Sequence, residues 1–305
     1  MNQIKLGGAL SVSEIALGCW RDAQLGDINQ VDALISRAVE LGINFFDHAD
    51  IYEDGASEEV FGQVLARHPG LREKIYIQTK CGIREHFFDF STEHILRAVD
   101  GSLKRLGADY IDVLLLHRPD VLVDPEEVAA AFDKLHAAGK VRYFGVSNQT
   151  PMYMALLQKY LHQPLIANQL QFSVTNTGMI DFQLNMNTGV PAAINRNGEA
   201  LEYCRLKDIT VQAWSPFQYG EMEGVFIGSE KYPQLNRTLA QIGERYGVSA
   251  SAIAISWILR HPAKIQPVVG TTKPARLEDI CTASGVNLTK QEWYEIYRSA
   301  GNLVP

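Results

Sequence analysis

Four side chains in this sequence could together protonate a carbonyl oxygen: Asp47, Tyr52, Lys80 and His117. A carbonyl that accepts hydride at carbon also needs a proton at oxygen, and a tyrosine with a pKa of about 10 releases that proton poorly at neutral pH. An ammonium beside the phenol would lower this pKa. We therefore expect Tyr52 to be the acid and Lys80 to assist it. Asp47 would hold Lys80 charged and in place, and His117 would orient the carbonyl oxygen or share its proton.

Each of the four residues also has an ordinary structural explanation. An aspartate at the end of a strand is usually a turn residue, and a loop tyrosine usually packs half-buried. A lysine after a strand is usually solvated, and a histidine there is often only a hydrogen-bonded neighbour. The catalytic interpretation therefore depends on whether the elements that carry the four residues bring them together.

Short apolar runs alternate with amphipathic helical segments along the chain. Such runs are typical of parallel strands, which are buried on both faces and read as nearly continuous apolar sequence. The helical segments begin at recognisable N-caps, such as Asp124 before Pro125 and Thr150 before Pro151. The eight candidate strands are Ile15–Gly18, Ile43–Asp47, Ile75–Thr79, Ile111–Leu116, Val141–Val146, Ile166–Leu170, Ile209–Ala213 and Gln266–Val269.

This alternation predicts an α/β fold, either an open doubly wound sheet or a closed barrel. A doubly wound sheet normally has a Gly-x-Gly-x-x-Gly turn after its first strand, and Leu17–Arg21 lacks it. We therefore expect a (β/α)8 TIM barrel in a single domain that covers residues 1–305. Residues 173–197 predict an extended loop after strand 6, and Thr289 with Glu292 predicts an additional C-terminal helix that no strand follows.

The chemistry of such barrels lies at the carboxyl ends of the strands. Asp47 closes the second candidate strand and Tyr52 follows it, Lys80 comes directly after the third strand, and His117 directly after the fourth. Three neighbouring strands would thus bring all four side chains to one quarter of the barrel mouth. Coincidence explains four such residues at successive strand ends poorly, so the barrel strengthens the catalytic interpretation.

The segment Phe46–Tyr52, with the sequence FDHADIY, resembles the signature of the aldo-keto reductase family around its catalytic Asp and Tyr. Asp109–Pro119 and Gly139–Asn148 resemble two further segments of that family, in the family's order, and the branch most similar is the bacterial general oxidoreductases. Ala213–Pro216 and the segment near Gly270 extend the resemblance through nearly the whole chain. It places the family's catalytic tetrad on the four residues named above, and it implies reversible, NADPH-dependent reduction of aldehydes or ketones to alcohols.

The resemblance also implies where a nicotinamide dinucleotide would lie. Ser147, Asn148 and Gln169 would hydrogen-bond the carboxamide, a task that suits side chains with both donors and acceptors. Trp214 lies where the family stacks an aromatic ring on the nicotinamide. Ordinary packing in the barrel is the alternative explanation for this tryptophan.

The loops after strands 7 and 8 often form a phosphate site in this architecture. Ser215 and Phe217 lie in the first loop, and a helix is expected to begin near Pro274 in the second. Amides at that helix start, a hydroxyl and two cations could bind a 2′-phosphate, although a solvated basic helix start is the alternative. Family members often have a lysine where this chain has Gly270, so NADPH is expected with NADH less favoured. The residues assigned to this second loop are Gly270, Thr271, Lys273, Arg276 and Asp279.

Four aromatic residues could form an apolar pocket for a small-molecule carbonyl substrate: Trp20, Phe87, Phe88 and Phe172. Trp20 follows the first strand and the two adjacent phenylalanines follow the third, whereas Phe172 opens the long loop and could close the far side of the pocket. Packing of these rings against one another as loop anchors is an equally good interpretation.

The composition argues against several classes of function. With 28 basic and 35 acidic residues the formal net charge is −7, so neither nucleic acid nor an anionic membrane surface is an expected partner. No apolar stretch is long enough to span a bilayer, and the first residues lack a secretory signal pattern. The four cysteines lie far apart, which indicates reduced thiols and no metal site. We expect a cytoplasmic enzyme with no obligate protein partner.

Two other functions are compatible with these residues. A barrel aldolase could use Lys80 to form a Schiff base, but it would need a neutral Lys80 and would leave Tyr52, Trp214 and residues 271–276 unexplained. A redox-sensing subunit could bind the same cofactor and turn over slowly, although the chain has no additional N-terminal arm for a partner. Borohydride trapping would identify the first, and turnover of a simple aromatic aldehyde separates a reductase from the second.

Overall fold

The computed structural model describes all residues from Met1 to Pro305, and its centre is a closed barrel of eight parallel strands. Each strand pairs with its neighbours along the chain and the last pairs with the first, so the sheet has no open edge. The barrel strands are β1 (Ala16–Gly18), β2 (Phe45–Asp47), β3 (Tyr76–Cys81), β4 (Ile111–Leu116), β5 (Val141–Ser147), β6 (Leu165–Gln171), β7 (Thr210–Trp214) and β8 (Gln266–Val269).

The (β/α)8 barrel expected from the sequence is confirmed, with all eight candidate strands present. β4 and β8 have the bounds read from the sequence, and the other strands differ by one or two residues at an end. The difference that matters is in β3, which continues through Lys80 to Cys81. Lys80 is therefore held by the sheet itself and not by a loop.

Eleven helices surround the strands, and none of them combines the length and the apolar character needed to cross a bilayer. The expected N-caps are present: the Asp124 carboxylate accepts a hydrogen bond from the Glu126 backbone N–H at 3.0 Å, and Thr150 caps the next helix. The helices are α1 (Ile28–Glu40), α2 (Ala56–Arg67), α3 (Thr92–Leu106), α4 (Pro125–Ala137), α5 (Pro151–Tyr160), α6 (Gly178–Leu184), α7 (Ala200–Leu206), α8 (Pro233–Tyr246), α9 (Ala250–Leu259), α10 (Pro274–Cys281) and α11 (Lys290–Ser299).

An antiparallel hairpin that the sequence analysis missed closes the end of the barrel opposite the strand carboxyl termini. Its strands, Gln3–Leu6 and Leu10–Ser13, are joined by a turn in which Gly7 has a φ of 54°. A Cβ atom at Gly7 would lie 2.3 Å from the Cβ of Ile166, so only glycine fits this approach to β6. Apolar side chains of the hairpin join a buried cluster with residues of the barrel interior, among them Phe45.

The long segment after β6 is present and is partly helical. It contains α6 and a 3-10 turn at Pro191–Ala193. The expected C-terminal helix, α11, begins at the Thr289 capping box and packs against this segment, where the Tyr297 hydroxyl donates to the Asp181 carboxylate at 2.6 Å. Contact with a helix more than a hundred residues away in sequence therefore gives the segment structure that its own periodicity does not indicate.

Candidate active site

The four residues expected to act together lie at the carboxyl ends of three adjacent strands. Asp47 is the last residue of β2, Lys80 lies in β3, and His117 directly follows β4. Tyr52 opens a 3-10 turn after β2, in which the next two residues adopt left-handed φ angles of 49° and 54°. This tight turn brings the phenol back over the end of the barrel, beside Lys80.

The Lys80 ammonium is the centre of the group. It donates to Asp47 Oδ2 at 2.8 Å, to the His48 backbone oxygen at 2.8 Å and to the Tyr52 hydroxyl oxygen at 3.0 Å. These contacts use all three N–H groups of the ammonium. The side chains of Lys80 and Asp47 are only 0% and 3% exposed, so little water screens the ion pair.

The pKa values of Lys80 and Tyr52 are both raised, for different reasons. Burial alone would lower the pKa of Lys80, but the Asp47 carboxylate and the Tyr52 hydroxyl raise it above its usual value. Burial raises the pKa of Tyr52, and the Lys80 ammonium opposes this without reversing it. The expected effect of Lys80 on the phenol is therefore present but smaller than that of burial. At neutral pH, Lys80 is charged and Tyr52 is protonated.

His117 lies beside the phenol as a neutral imidazole. Its ring meets the Tyr52 ring edge to face, with 6.0 Å between the centroids. Burial lowers the pKa of His117 well below its usual value, and the positive charges of Lys80 and Arg118 act in the same direction. A neutral imidazole can donate one ring N–H to a carbonyl oxygen.

The site opens into a cavity of about 720 Å³ at the mouth of the barrel. Trp20 stacks on Tyr52 at one wall, with ring centroids 5.8 Å apart. Lys80 is not among the lining residues, so it contacts the cavity only through Tyr52. The expected site residues that do line it are Trp20, Asp47, Tyr52, His117, Ser147, Asn148, Gln169, Trp214, Ser215, Phe217, Gly270, Thr271 and Arg276.

The residues expected to bind the nicotinamide are already linked to one another. Asn148 Nδ2 donates to Ser147 Oγ at 2.8 Å, and Trp214 Nε1 donates to Asn148 Oδ1 at 3.1 Å. Ser147 Oγ in turn donates to the Gln169 backbone oxygen at 3.0 Å. Asn148 and Ser215 both adopt left-handed φ angles, of 57° and 49°, a conformation that is uncommon for residues with a Cβ atom.

Comparison with known proteins identifies the family, because the model of the aldo/keto reductase family matches residues 14–300. The chain belongs to the aldo/keto reductase family. A 6-dehydroglucose reductase from Agrobacterium fabrum is 38% identical over 98% of each chain. The oxidoreductase YdhF from Escherichia coli is 33% identical, over 94% of this chain and 93% of its own length. An aldo-keto reductase structure from Klebsiella pneumoniae in complex with NADPH aligns with a TM-score of 0.79 at 23% identity, over 100% of this chain and 96% of that one.

The reductase has only part of the expected phosphate site on its cavity wall. α10 begins at Pro274 as expected, and Arg276 in its first turn lines the cavity. Lys273 is exposed at the N-cap of α10 and lies outside the lining. Asp279 is also outside it, because its carboxylate accepts a hydrogen bond from the Ser249 hydroxyl at 2.6 Å and so ties α10 to α9. The positions of Lys273 and Asp279 do not support the cofactor contacts expected of them.

Of the four aromatic residues expected around the substrate, only Trp20 lines the cavity. Phe87 and Phe88 form one strand of a small hairpin after β3 and are 56% and 42% exposed. Phe172 is fully buried and stacks on Trp257 at 5.3 Å, because the chain enters the core directly after β6. The structure therefore does not place Phe87, Phe88 or Phe172 on the cavity wall, because a ring near a strand end can face the solvent or the core instead.

Sequence analysis missed two arginines at the mouth of the cavity. Arg21 and Arg118 both line it, and each directly follows an expected site residue, Trp20 and His117 respectively. The Arg118 guanidinium lies over the Trp214 ring at 5.7 Å. Their positions one residue past a strand-end site residue were the signal that could have revealed them.

Proposed function

We propose that this reductase catalyses the reversible, NADPH-dependent reduction of aldehydes or ketones to alcohols, with the whole chain acting as one catalytic domain. The observation that carries the proposal is the contact of the Lys80 ammonium with the Tyr52 hydroxyl oxygen at 3.0 Å, at the wall of the cavity. A phenol held beside a buried ammonium is suited to give a proton to a carbonyl oxygen. Membership of a family that uses NADP(H) supports the same chemistry.

Residues of the chain itself would donate the proton and stabilise the phenolate that remains. NADPH, when bound, supplies a hydride to the carbonyl carbon. Tyr52 donates its hydroxyl proton to the carbonyl oxygen, which yields the alcohol and leaves a phenolate that regains a proton from solvent. The Lys80 ammonium stabilises that phenolate, and Asp47 holds the ammonium in place. His117 donates a hydrogen bond to the carbonyl oxygen and directs it at Tyr52.

The side chains along the cavity fit a nicotinamide dinucleotide phosphate. Asn148 offers its second amide hydrogen to a carboxamide, and Ser147 and Gln169 offer side-chain oxygens, because their own hydrogens already donate within the protein. Trp214 offers the flat face of its ring. Arg276, in the first turn of α10, offers a guanidinium to a phosphate near the helix amides. The NADPH named with the Klebsiella pneumoniae structure supports the same cofactor. Further contacts would come from Ser215, Phe217, Gly270 and Thr271.

A hydroxylated, sugar-derived aldehyde is the substrate class that we propose. Two relatives carry the name 6-dehydroglucose reductase, the one from Agrobacterium fabrum and one from Novosphingobium aromaticivorans that is 35% identical over 95% of this chain. In this chain, Arg21 and Arg118 offer guanidinium donors to hydroxyl oxygens at the same end of the cavity as Tyr52.

The surroundings of Lys80 argue against a Schiff-base aldolase. Such an enzyme needs a neutral amine with a free lone pair. In this chain all three N–H groups of Lys80 donate to oxygen atoms, and the pKa of Lys80 is raised by Asp47 and Tyr52 despite its burial. The amine is also separated from the cavity by the phenol.

Tyr52→Phe tests the proposal because it removes only the hydroxyl. We expect carbonyl reduction to fall by at least about 10²-fold, the range of a lost general acid, while NADPH affinity stays the same. Steady-state NADPH oxidation with 6-dehydroglucose and with benzaldehyde measures the first, and quenching of tryptophan fluorescence measures the second. Tyr160→Phe is the matched control, since Tyr160 ends α5 away from the cavity and should keep the parental rate.

Three other results would contradict the proposed reductase mechanism. A Tyr52→Phe protein that keeps most of its rate with either aldehyde would exclude Tyr52 as the proton donor. A parent protein that binds NADPH but reduces no carbonyl would support the redox-sensing subunit. Borohydride trapping of substrate on Lys80 would support the aldolase.

A further inference from the structure

Four glutamines are buried inside the barrel, where apolar side chains usually fill the space. They are Gln78 in β3, Gln169 in β6, Gln212 in β7 and Gln266 in β8, and none is more than 3% exposed. Strand register places them in one layer with Asp47, because Gln78 pairs with Asp47 across β2 and β3, and Gln212 pairs with Gln169 and with Gln266.

Their amide groups form a closed square of hydrogen bonds with Asp47. Gln78 Nε2 donates to Asp47 Oδ1 at 2.6 Å and to Gln212 Oε1 at 2.9 Å. Gln169 Nε2 donates to the same two acceptors, at 3.1 Å and 3.4 Å. Outside the square, Gln212 Nε2 donates to Gln266 Oε1 at 2.9 Å, and Gln266 Nε2 donates to the Ser13 backbone oxygen at 2.7 Å.

This arrangement divides the two oxygens of Asp47 between two tasks. Oδ1 accepts the two amide donors, and Oδ2 accepts the Lys80 ammonium at 2.8 Å. Both hydrogens of the Gln78 amide are used, so its orientation is set by acceptors on opposite sides of the barrel. The two amides therefore hold the carboxylate at Oδ1, which directs Oδ2 at Lys80.

Packing alone does not explain Gln78. Its carbonyl oxygen, Oε1, is buried and has no hydrogen-bond partner. An unsatisfied buried carbonyl opposes folding, and an apolar side chain of similar size would fill the layer without that cost. The gain that offsets it lies at Nε2, in the short bond to the Asp47 carboxylate.

We infer that Gln78 is a positioning residue. It acts on the proton donor, Tyr52, through Asp47 and Lys80. Gln78 does not line the cavity, and Gln169, the lining residue that shares its two acceptors, keeps its own two hydrogen bonds when Gln78 is replaced. Gln78 would therefore affect the rate of proton donation and not the binding of cofactor or substrate. The inference rests on the proposed function, because it needs Tyr52 to be the acid.

Gln78→Met tests this inference, with Gln266→Met as the matched control. Both replace a fully buried glutamine of the same layer with an apolar side chain of similar length, but only Gln78 contacts Asp47. For Gln78→Met we expect kcat to fall on the order of tenfold, as for one lost bond to a charged group, with the NADPH Kd unchanged. Gln266→Met should keep the parental kcat even if its melting temperature falls as far as that of Gln78→Met.

The isosteric Gln78→Glu adds a readout that a structural role would not move. The introduced carboxyl can donate to Asp47 only when it is protonated, and burial beside a carboxylate raises the pKa of such a group. The ratio of variant to parent kcat should therefore rise as the pH is lowered from about 8 to about 6.

Three results would overturn the inference: a Gln78→Met protein with parental kcat, an equal loss of kcat in Gln266→Met, or a Gln78→Glu ratio that does not change with pH. Failure of the proposed function is distinguishable, because it would show first as an active Tyr52→Phe protein. A Gln78→Met protein that does not fold leaves the Gln78→Glu ratio as the deciding measurement.

Discussion

Two Lys–Asp ion pairs in this reductase have similar lengths and very different surroundings. At the mouth of the barrel, Lys80 Nζ lies 2.8 Å from Asp47 Oδ2, and the two side chains are 0% and 3% exposed. Just before β5, Lys140 Nζ lies 2.6 Å from Asp100 Oδ1, and these side chains are 41% and 58% exposed. The shorter pair lies on the surface, and only the longer one has further partners, among them the Tyr52 hydroxyl.

The N–O distance alone does not decide what an ion pair does in this protein. Water screens the exposed pair, so its charges have little effect on anything nearby. In the buried site the same charges act through a low dielectric: the Lys80 ammonium lowers the pKa of Tyr52 and the Asp47 carboxylate raises it, and Tyr52 in turn raises the pKa of Lys80. Burial and the phenol, not the pairing itself, distinguish Lys80 from Lys140 and support the function proposed for Lys80.

Replacing each lysine by methionine in a separate variant should give the largest difference in activity and stability between the two ion pairs. Lys80→Met keeps the side-chain length but removes the charge that stabilises the phenolate and leaves Asp47 buried without an ammonium. We expect reduction to fall by more than about 10²-fold and the free energy of unfolding to fall by about 3–5 kcal/mol. Lys140→Met should keep the parental rate and lower the free energy of unfolding by about 0.2–1 kcal/mol. Steady-state kinetics and urea unfolding measure the two effects.

The pH profile of the residual activity sharpens this result. The Lys80 ammonium lowers the pKa of Tyr52, so without it the phenol keeps its proton to higher pH. The alkaline limb of the reduction profile should therefore move to higher pH in Lys80→Met. An unchanged profile, or equal effects at Lys80 and Lys140, would make Lys80 a structural residue.

Removal of the Arg276 guanidinium at the exposed end of the cavity should have an intermediate effect that is confined to cofactor binding. Arg276 lines the cavity from the first turn of α10. We expect Arg276→Ala to weaken NADPH binding by about tenfold, the lower end for a charge-assisted hydrogen bond, because the side chain is exposed. NADH lacks the 2′-phosphate and should bind as before. Fluorescence titration with both cofactors measures this.

Arg237→Ala is the control for this prediction. Arg237 is an exposed arginine on α8 that does not line the cavity, so its removal should leave the affinity for both cofactors unchanged. Equal losses of NADPH and NADH affinity in Arg276→Ala would indicate a damaged α10. A parent protein that prefers NADH would contradict the NADPH assignment and leave the chemistry at Tyr52 untouched.

The smallest predicted effect concerns Asp50, a carboxyl that lacks an ammonium like that of Lys80. Burial raises its pKa from 3.8 to about 7, and the Glu58 carboxylate adds to this while Arg105 opposes it. Between these values the folded protein keeps a proton that the unfolded chain loses, so this contribution to stability declines as the pH rises towards 7. Asp50→Asn removes the ionisation and should raise the melting temperature at pH 8 by roughly 3–6 °C. At pH 5 the gain should be smaller.

Calorimetry at both pH values checks this prediction. Asp109→Asn serves as the control, because Asp109 is exposed before β4 and should give the same melting temperature as the parent at both pH values. A gain for Asp50→Asn that is equal at pH 5 and pH 8 would show that the carboxyl does not ionise in this range.

Local sequence patterns were sufficient to predict the barrel and the grouping of the four proposed catalytic residues at its mouth. Runs such as Ile111–Leu116 are typical of strands buried on both faces, and eight of them with helices between leave few architectures. Once the strands are parallel, their carboxyl ends must meet at one face, so residues at those ends share a site wherever they occur in the chain. That is why Lys80 and Tyr52, 28 residues apart, could be paired without a structure.

Only the tertiary structure decided which way individual side chains face. Trp20 and Phe172 both follow a barrel strand, yet one lines the cavity and the other is drawn into the core by Trp257. Gln78 and Gln212 are separated by 134 residues and meet only because the sheet closes on itself. Strand pattern is a local property of the backbone, whereas the partner of a side chain depends on packing between distant segments, which no local pattern encodes.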